Sequence, residues 1–159
     1  MGKLKVRQRL LSMRDRFDIT DEAGNPKYYA EGALLSWGKK CTIWNAHKQE
    51  VARIEERVFS FMPTFTIYVG NKVVATIRKE FSFFTPRYNI DFGNIKVVGD
   101  PWRLNYSLES GGRTVGAINK KVFTMADTYE VDILDENLEP LILSLVLSID
   151  YVKAQQQRK

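Results

Sequence analysis

Cys41 and His47, six residues apart, are the one thiol and the one imidazole of this chain, and such a pair is the least that nucleophilic catalysis by sulfur needs. Their surroundings point elsewhere. Cys41-Thr42-Ile43 reads as strand and Asn45-Ala46 as the start of a turn, which makes Cys41 a small apolar core residue and His47 a solvated turn residue. One Cys and one His also cannot furnish the usual zinc sites. The stretch from Gly32 to Lys40 imitates a phosphate loop, but it has five residues between its glycines and Lys40 where Ser or Thr must follow Lys39. The acidic residues Asp132, Asp135, Glu136 and Glu139 lack the spacing and central glycine of a calcium loop. Acids leading into a helix are already favoured by its dipole. No catalytic residue, metal site or cofactor is expected, and the chain reads as non-enzymatic.

What remains as chemistry is charge. The formal net charge is +5, and its distribution matters more than its size. Residues 1–16 carry six basic side chains, Lys3, Lys5, Arg7, Arg9, Arg14 and Arg16, against Asp15 alone, and the tail adds Lys153, Arg158 and Lys159. Residues 17–150 hold 15 positive against 18 negative side chains. The ends are therefore basic and the body is not. A basic end can hold anionic lipid or nucleic acid through simple charge, although solvated basic termini are also common without any partner. If residues 3–9 are extended, Lys3, Lys5, Arg7 and Arg9 share one face and Leu4 and Val6 the other. Arg78, Lys79, Lys120 and Lys121 are candidate supplements to that basic edge.

The elements that must position these residues are announced by an internal repeat. Val51-Ala52-Arg53-Ile54, Val74-Ala75-Thr76-Ile77 and Val115-Gly116-Ala117-Ile118 open three similar segments. Twelve residues after each opening Val stand Pro63, Pro86 and Asp127; fourteen after, Phe65, Tyr88 and Tyr129; sixteen after, Ile67, Ile90 and Val131. Each copy reads as a β-hairpin. Ala52, Ile54 and Val58, or Ala75, Ile77 and Phe81, alternate with Arg53, Glu55 and Arg57, or Thr76, Arg78 and Glu80, the period of two of a strand with one buried face. The second strands alternate in the same way, with Phe65, Ile67 and Val69, then Tyr88, Ile90 and Phe92, then Tyr129, Val131 and Ile133 on the apolar side. Gly70-Asn71, Gly93-Asn94 and Gly111-Gly112 supply turn chemistry. Weaker relatives, including a half-repeat Trp102-Arg103-Leu104-Asn105-Tyr106, bring the expectation to about ten to twelve short strands, as in a sandwich or barrel. Trp37, Trp44 and Trp102 are expected to pack in the core or across strands, with membrane-interface or base-stacking roles as the alternative.

One element breaks the pattern. Leu141 to Ile149 is apolar all the way round a helical wheel, so it must be enclosed by protein or lipid. A span of lipid needs roughly 20 residues, and this run has nine. The expected architecture is thus mainly β, a closed antiparallel barrel of about twelve strands around a central hydrophobic C-terminal helix, formed by residues 1–159 as one domain. Asn137 is the candidate N-cap and Pro140 fits the first turn. Ser144 and Ser148 can each return a hydroxyl to a carbonyl of the preceding turn.

The Val-Ala-x-Ile hairpins, the Asp-Thr-Tyr-x-Val-x-Ile segment from Asp127 to Ile133 and the closing Leu-x-Ile-Asp from Leu147 to Asp150 together resemble the LURP-one-related family. That family belongs to the tubby C-terminal-like superfamily, with the phospholipid scramblases as another branch. The resemblance runs from about Leu4 to Val152 and implies a closed barrel of about twelve strands around a hydrophobic helix. Tubby proteins bind phosphoinositides through basic surface residues and scramblases act at membranes. This sequence departs from scramblases, having neither a spanning helix nor a cluster of palmitoylated cysteines, and a shared fold does not transfer a function.

Two readings of function follow. In the first, the protein is a binding module for anionic phospholipid or a membrane surface, with Lys3, Lys5, Arg7, Arg9, Arg78, Lys79, Lys120 and Lys121 as its candidate residues. In the second, it is a soluble regulatory or scaffold protein whose partner is another protein; nucleic-acid binding is a weaker third. The basic start runs into Leu10-Leu11 and no apolar signal segment, and Val6 stands where a myristoylation motif wants Ser or Thr. The expected location is the cytoplasm, with peripheral attachment to membrane under the first reading.

Overall fold

Alternation of apolar and polar residues puts one face of almost every strand out of water, and the strands solve this by sharing a single interior. The computed structural model describes residues 2–10, 14–35, 38–57, 64–80, 87–119 and 128–157. Twelve strands follow one another: β1 (Gly2–Leu10), β2 (Arg14–Thr20), β3 (Pro26–Leu35), β4 (Gly38–Asn45), β5 (Glu50–Arg57), β6 (Thr64–Val69), β7 (Lys72–Glu80), β8 (Arg87–Asp91), β9 (Ile95–Asp100), β10 (Asn105–Ser110), β11 (Arg113–Asn119) and β12 (Thr128–Ile133). A 3-10 turn at Glu136–Leu138 leads into helix α1 (Glu139–Gln157). All twelve strands belong to one antiparallel sheet, with the order β8-β7-β6-β5-β4-β3-β2-β1-β12-β11-β10-β9. Two meanders, β1 to β8 and β9 to β12, are joined where β1 pairs with β12, Leu4 facing Val131 and Val6 facing Tyr129.

The three repeats are the hairpins β5–β6, β7–β8 and β11–β12, as their offsets predict. Ala52, Ile54, Ile67, Ile77, Val131 and Ile133 are buried in the interior while Arg57, Arg78 and Asn89 face water. Pro63, Pro86, Asp127, Val58, Phe81 and Trp37 lie outside the described residues. The half-repeat at Trp102 is a correction. Pro101–Arg103 form a 3-10 turn capped by Asp100, Leu104 takes a left-handed conformation, and β10 begins only at Asn105. Asp100 followed by proline closes the turn before a strand can form, because its carboxylate accepts the N–H groups of Trp102 and Arg103.

Helix α1 fills the interior. Ile142, Leu143, Leu145, Val146, Leu147, Ile149 and Val152 are fully buried, and each such side chain contributes about 1.5–3 kcal/mol relative to exposure. The helix reaches β5 and β6 on one side and β12 on another, so the sheet curls round it. Glycines let it approach: a Cβ on Gly116 would lie 2.9 Å from Ile142 Cγ2, and one on Gly32 would lie 2.8 Å from Tyr151 Cε1. The Ser144 hydroxyl donates to the Pro140 carbonyl and that of Ser148 to the Leu145 carbonyl, both at 2.6 Å. Asn137, the expected N-cap, lies inside the 3-10 turn Glu136–Leu138 that precedes the helix, and that turn is capped by Asp135, which accepts the Asn137 N–H.

The expected closure of the barrel is the second correction. The edges of the sheet are β8 and β9, joined by the turn Gly93-Asn94 and one bridge between Phe92 and Ile95. Beyond that bridge β8 follows β7 and β9 follows β10. Pro101 and Trp102 line the space between them, and the 3-10 turn that carries both packs on α1. The sheet thus wraps the helix but is open along one seam, with the 3-10 turn at its side.

Candidate functional site

β1 carries the basic edge in the register its alternation requires. Lys3, Lys5 and Arg7 are exposed, while Leu4 and Val6 between them are buried. Of Arg9 the backbone is described, opposite Arg16 on β2. Lys120 and Lys121 lie outside the described residues. Arg78 and Lys79 do not join this edge. β7 is separated from β1 by five intervening strands, and alternation sends Lys79 to the inner side with Ala75 and Ile77 while Arg78 faces out.

β1 lies between β2 and β12, and most of the residues that share a groove with it come from β2 and β3. A groove of about 510 Å³ is lined by Lys5, Arg7, Arg16, Lys27, the carboxylate of Asp18, and the rings of Tyr28 and Tyr29. Four cations stand against three carboxylates, Asp18 in the wall with Glu31 and Glu139 paired to Arg16 and Lys27, so the groove keeps a small positive excess. Arg16 is held at the centre by Asp18 Oδ1 and Glu31 Oε1, each 3.0 Å away. The hydrogen bond from Arg16 to Asp18 raises the guanidinium pKa, which fixes its charge. The same guanidinium lies 5.7 Å from the Tyr29 ring, and Tyr29 stacks on Trp44 at 5.0 Å, so a cation, a phenol and an indole form one outer ladder across β2, β3 and β4. Lys27 spans both oxygens of Glu139, Oε2 at 2.9 Å and Oε1 at 3.0 Å, and the Tyr28 hydroxyl donates to Oε2 at 2.7 Å, fixing the mouth of the groove to the start of α1. Burial, then Glu139, pushes the Tyr28 phenol pKa up.

Sequence reasoning names Lys5 and Arg7 as candidates but not Arg16 and Lys27, and Trp44, expected to pack in the core or across strands, stacks on Tyr29 of the neighbouring strand. Position 16 is legible as outward-facing, since it alternates with Phe17; its meeting with Lys27 depends on the β2–β3 register, which alternation does not supply. A second cluster was missed altogether. Asp15 and Asp150 are buried beside Cys41, and the Tyr129 hydroxyl donates to Asp150 Oδ2 at 2.9 Å. Burial first, then Asp15 and Asp150, raises the Cys41 thiol pKa, which holds it in the protonated form. Cys41 is thus a core residue and His47 an exposed turn residue, as their setting predicts.

The acidic residues before the helix are distributed among separate partners. Asp132 is 3.9 Å from Lys3, Asp135 is 2.7 Å from Arg113, and Glu139 holds Lys27. Among the described residues there is no cluster of His, Cys, Asp and Glu able to hold a metal ion, and no helix long and apolar enough to cross a membrane.

Comparison with known proteins agrees with this architecture. A protein of Arabidopsis thaliana solved by X-ray crystallography superposes with a TM-score of 0.60 at 13% identity, covering 94% of this chain and 91% of that one. The uncharacterized protein YxjI of Bacillus subtilis (strain 168) is 26% identical over 152 residues, which is 96% of this chain and 94% of the relative. The LURP-one-related family model matches residues 3–150, and the chain belongs to that family.

Proposed function

We propose that the protein is a non-enzymatic binding module that takes an anionic headgroup at a phospholipid surface into the groove between β1, β2 and β3. The observation that carries this reading is the lining itself: Lys5, Arg7, Arg16 and Lys27 converge on a cavity of about 510 Å³ that has one carboxylate in its wall. Ligand cavities commonly lie between about 300 and 1,000 Å³. Tyr29 and Trp44 beside the groove present amphipathic rings of the kind that sit well at a wet, apolar boundary. Each basic residue close to an anionic membrane contributes on the order of 1 kcal/mol, so several together carry measurable affinity even though Arg16 and Lys27 are shared with acids and Arg7 has a partner of its own.

Flotation with vesicles of phosphatidylcholine, with and without phosphatidylserine, tests this. The protein is expected to float with the anionic vesicles at low salt and to detach as the Debye length shrinks toward about 8 Å. Equal flotation with both vesicle types, or none at low salt, favours the second reading, a scaffold for another protein.

A further inference from the structure

The seam between β8 and β9 leaves two strand edges facing a groove of about 620 Å³. Unpaired backbone donors and acceptors along a sheet edge are a template for another strand. The half-buried Ile90, Val97 and Trp102 form an apolar strip in a wall that is otherwise mostly polar, with Phe92 and Ile95 at the closed end and Thr76, Asn89 and Asn94 beside them. Its rim carries Arg78 on β7 and Lys96 on β9, both exposed and neither with an ion-pair partner among the described residues. The rim carboxylate, Asp91, already accepts the Gly93 N–H at 3.0 Å.

From this geometry we infer that the β8–β9 seam is a strand-acceptor site for an extended peptide of a partner protein, with apolar and acidic residues in alternation. Main-chain hydrogen bonds to the open edges would hold the peptide, and alternate side chains would be read by the two surfaces of the groove. A strand has period two, so one set of its side chains meets Ile90, Val97 and Trp102 while the other meets Arg78 and Lys96. With Asp91 counted the rim keeps one net positive charge, and an acidic set is the better complement to it at Arg78 and Lys96. The site is distinct from the basic groove on β1 to β3, so its failure and the failure of the lipid reading are separately visible.

The probes are a capped octapeptide alternating glutamate with valine and its counterpart with lysine in place of glutamate. Binding is followed by calorimetry and by amide hydrogen exchange on the full chain. The glutamate peptide is expected to bind, to weaken as salt rises, and to slow exchange at β8 and β9 and nowhere else. The lysine peptide is expected to bind at least about tenfold more weakly, and the double variant Arg78→Glu/Lys96→Glu to reverse that preference. Methylating the peptide backbone nitrogens on one edge should abolish binding without changing its side chains.

A second variant tests the seam directly. Continuing the turn from the Phe92–Ile95 bridge would set Asn89 opposite Val98, so Asn89→Cys/Val98→Cys, oxidised, would pin the seam shut and exclude the peptide. No binding by either peptide, equal binding of both, protection outside β8 and β9, or undiminished binding by the oxidised form overturns the proposal. So does a dimer in sedimentation that already protects β8 and β9 without peptide, since a second copy of the chain would then be the occupant.

Discussion

The hydroxyl of Tyr129 donates to Asp150 Oδ2 at 2.9 Å inside the sheet, tying the last strand to the helix it delivers. Both groups are almost free of solvent, with Tyr129 2% and Asp150 3% exposed. A buried carboxylate deprived of one donor bears most of its own desolvation. Tyr129→Phe, which keeps the ring, should therefore lose about 1–3 kcal/mol of stability. Urea unfolding followed by fluorescence measures it; an unchanged midpoint would show that the bond contributes nothing.

Stability should fall on the alkaline side. Burial raises the pKa of the Cys41 thiol and of the Tyr28, Tyr106 and Tyr129 phenols above their ordinary values of 9.0 and 10.0. A group whose folded pKa is raised stays protonated in the folded state while the unfolded chain ionises, so the unfolded state gains as pH climbs past the ordinary value. The urea midpoint should therefore lose nothing to these groups below pH 9.0 and decline from there upward. A midpoint that holds steady through and beyond pH 10.0 would contradict the burial of these four side chains.

Gly116 admits Ile142 through the wall of the sheet. A methyl group there would stand 2.9 Å from Ile142 Cγ2, and overpacking of a filled core costs about 1–3 kcal/mol. Gly116→Ala should destabilise by that amount, and adding Ile142→Leu, which moves the branch off Cβ, should recover part of the loss. Strict additivity in the double-mutant cycle would mean that the two positions do not touch.

Leu145 is fully enclosed at the middle of α1. Leu145→Asp would bury a carboxylate with no partner, costing several kcal/mol out of a total of roughly 5–15. The variant should be unfolded or insoluble. A folded monomer with an unchanged melting curve would refute the enclosed helix.

Much of this architecture is legible because two periods clash within the sequence. Ala52, Ile54, Phe65 and Ile67 mark strand faces, and Leu141 to Ile149 mark a helix that cannot meet water. Alternation also placed Lys3, Lys5 and Arg7 outside and Cys41 inside. It could have placed Asp15 inside too, since that residue shares the parity of Phe17 and Ile19. What local pattern cannot convey is distance around the sheet. Charge alone groups Arg78 with the β1 cations, yet five strands intervene, while Lys27 and Arg16 arrive beside Lys5 only through strand register. The open seam was also invisible. Phe92-Gly93-Asn94-Ile95 is a good hairpin turn, and nothing in its local pattern marks the end of pairing after one bridge.

The most direct test of the basic groove compares two variants that each remove two positive charges. Lys5→Gln/Arg7→Gln strips the groove wall, and Lys72→Gln/Arg103→Gln strips exposed positions away from it. Both should keep the melting curve of the parent. Flotation with anionic vesicles at low salt should fall steeply for the first pair, by about tenfold for each 1.4 kcal/mol lost, and stay near the parent for the second. Equal losses in the two variants would mean that net charge alone drives attachment, and full retention by the first would remove the groove from the account.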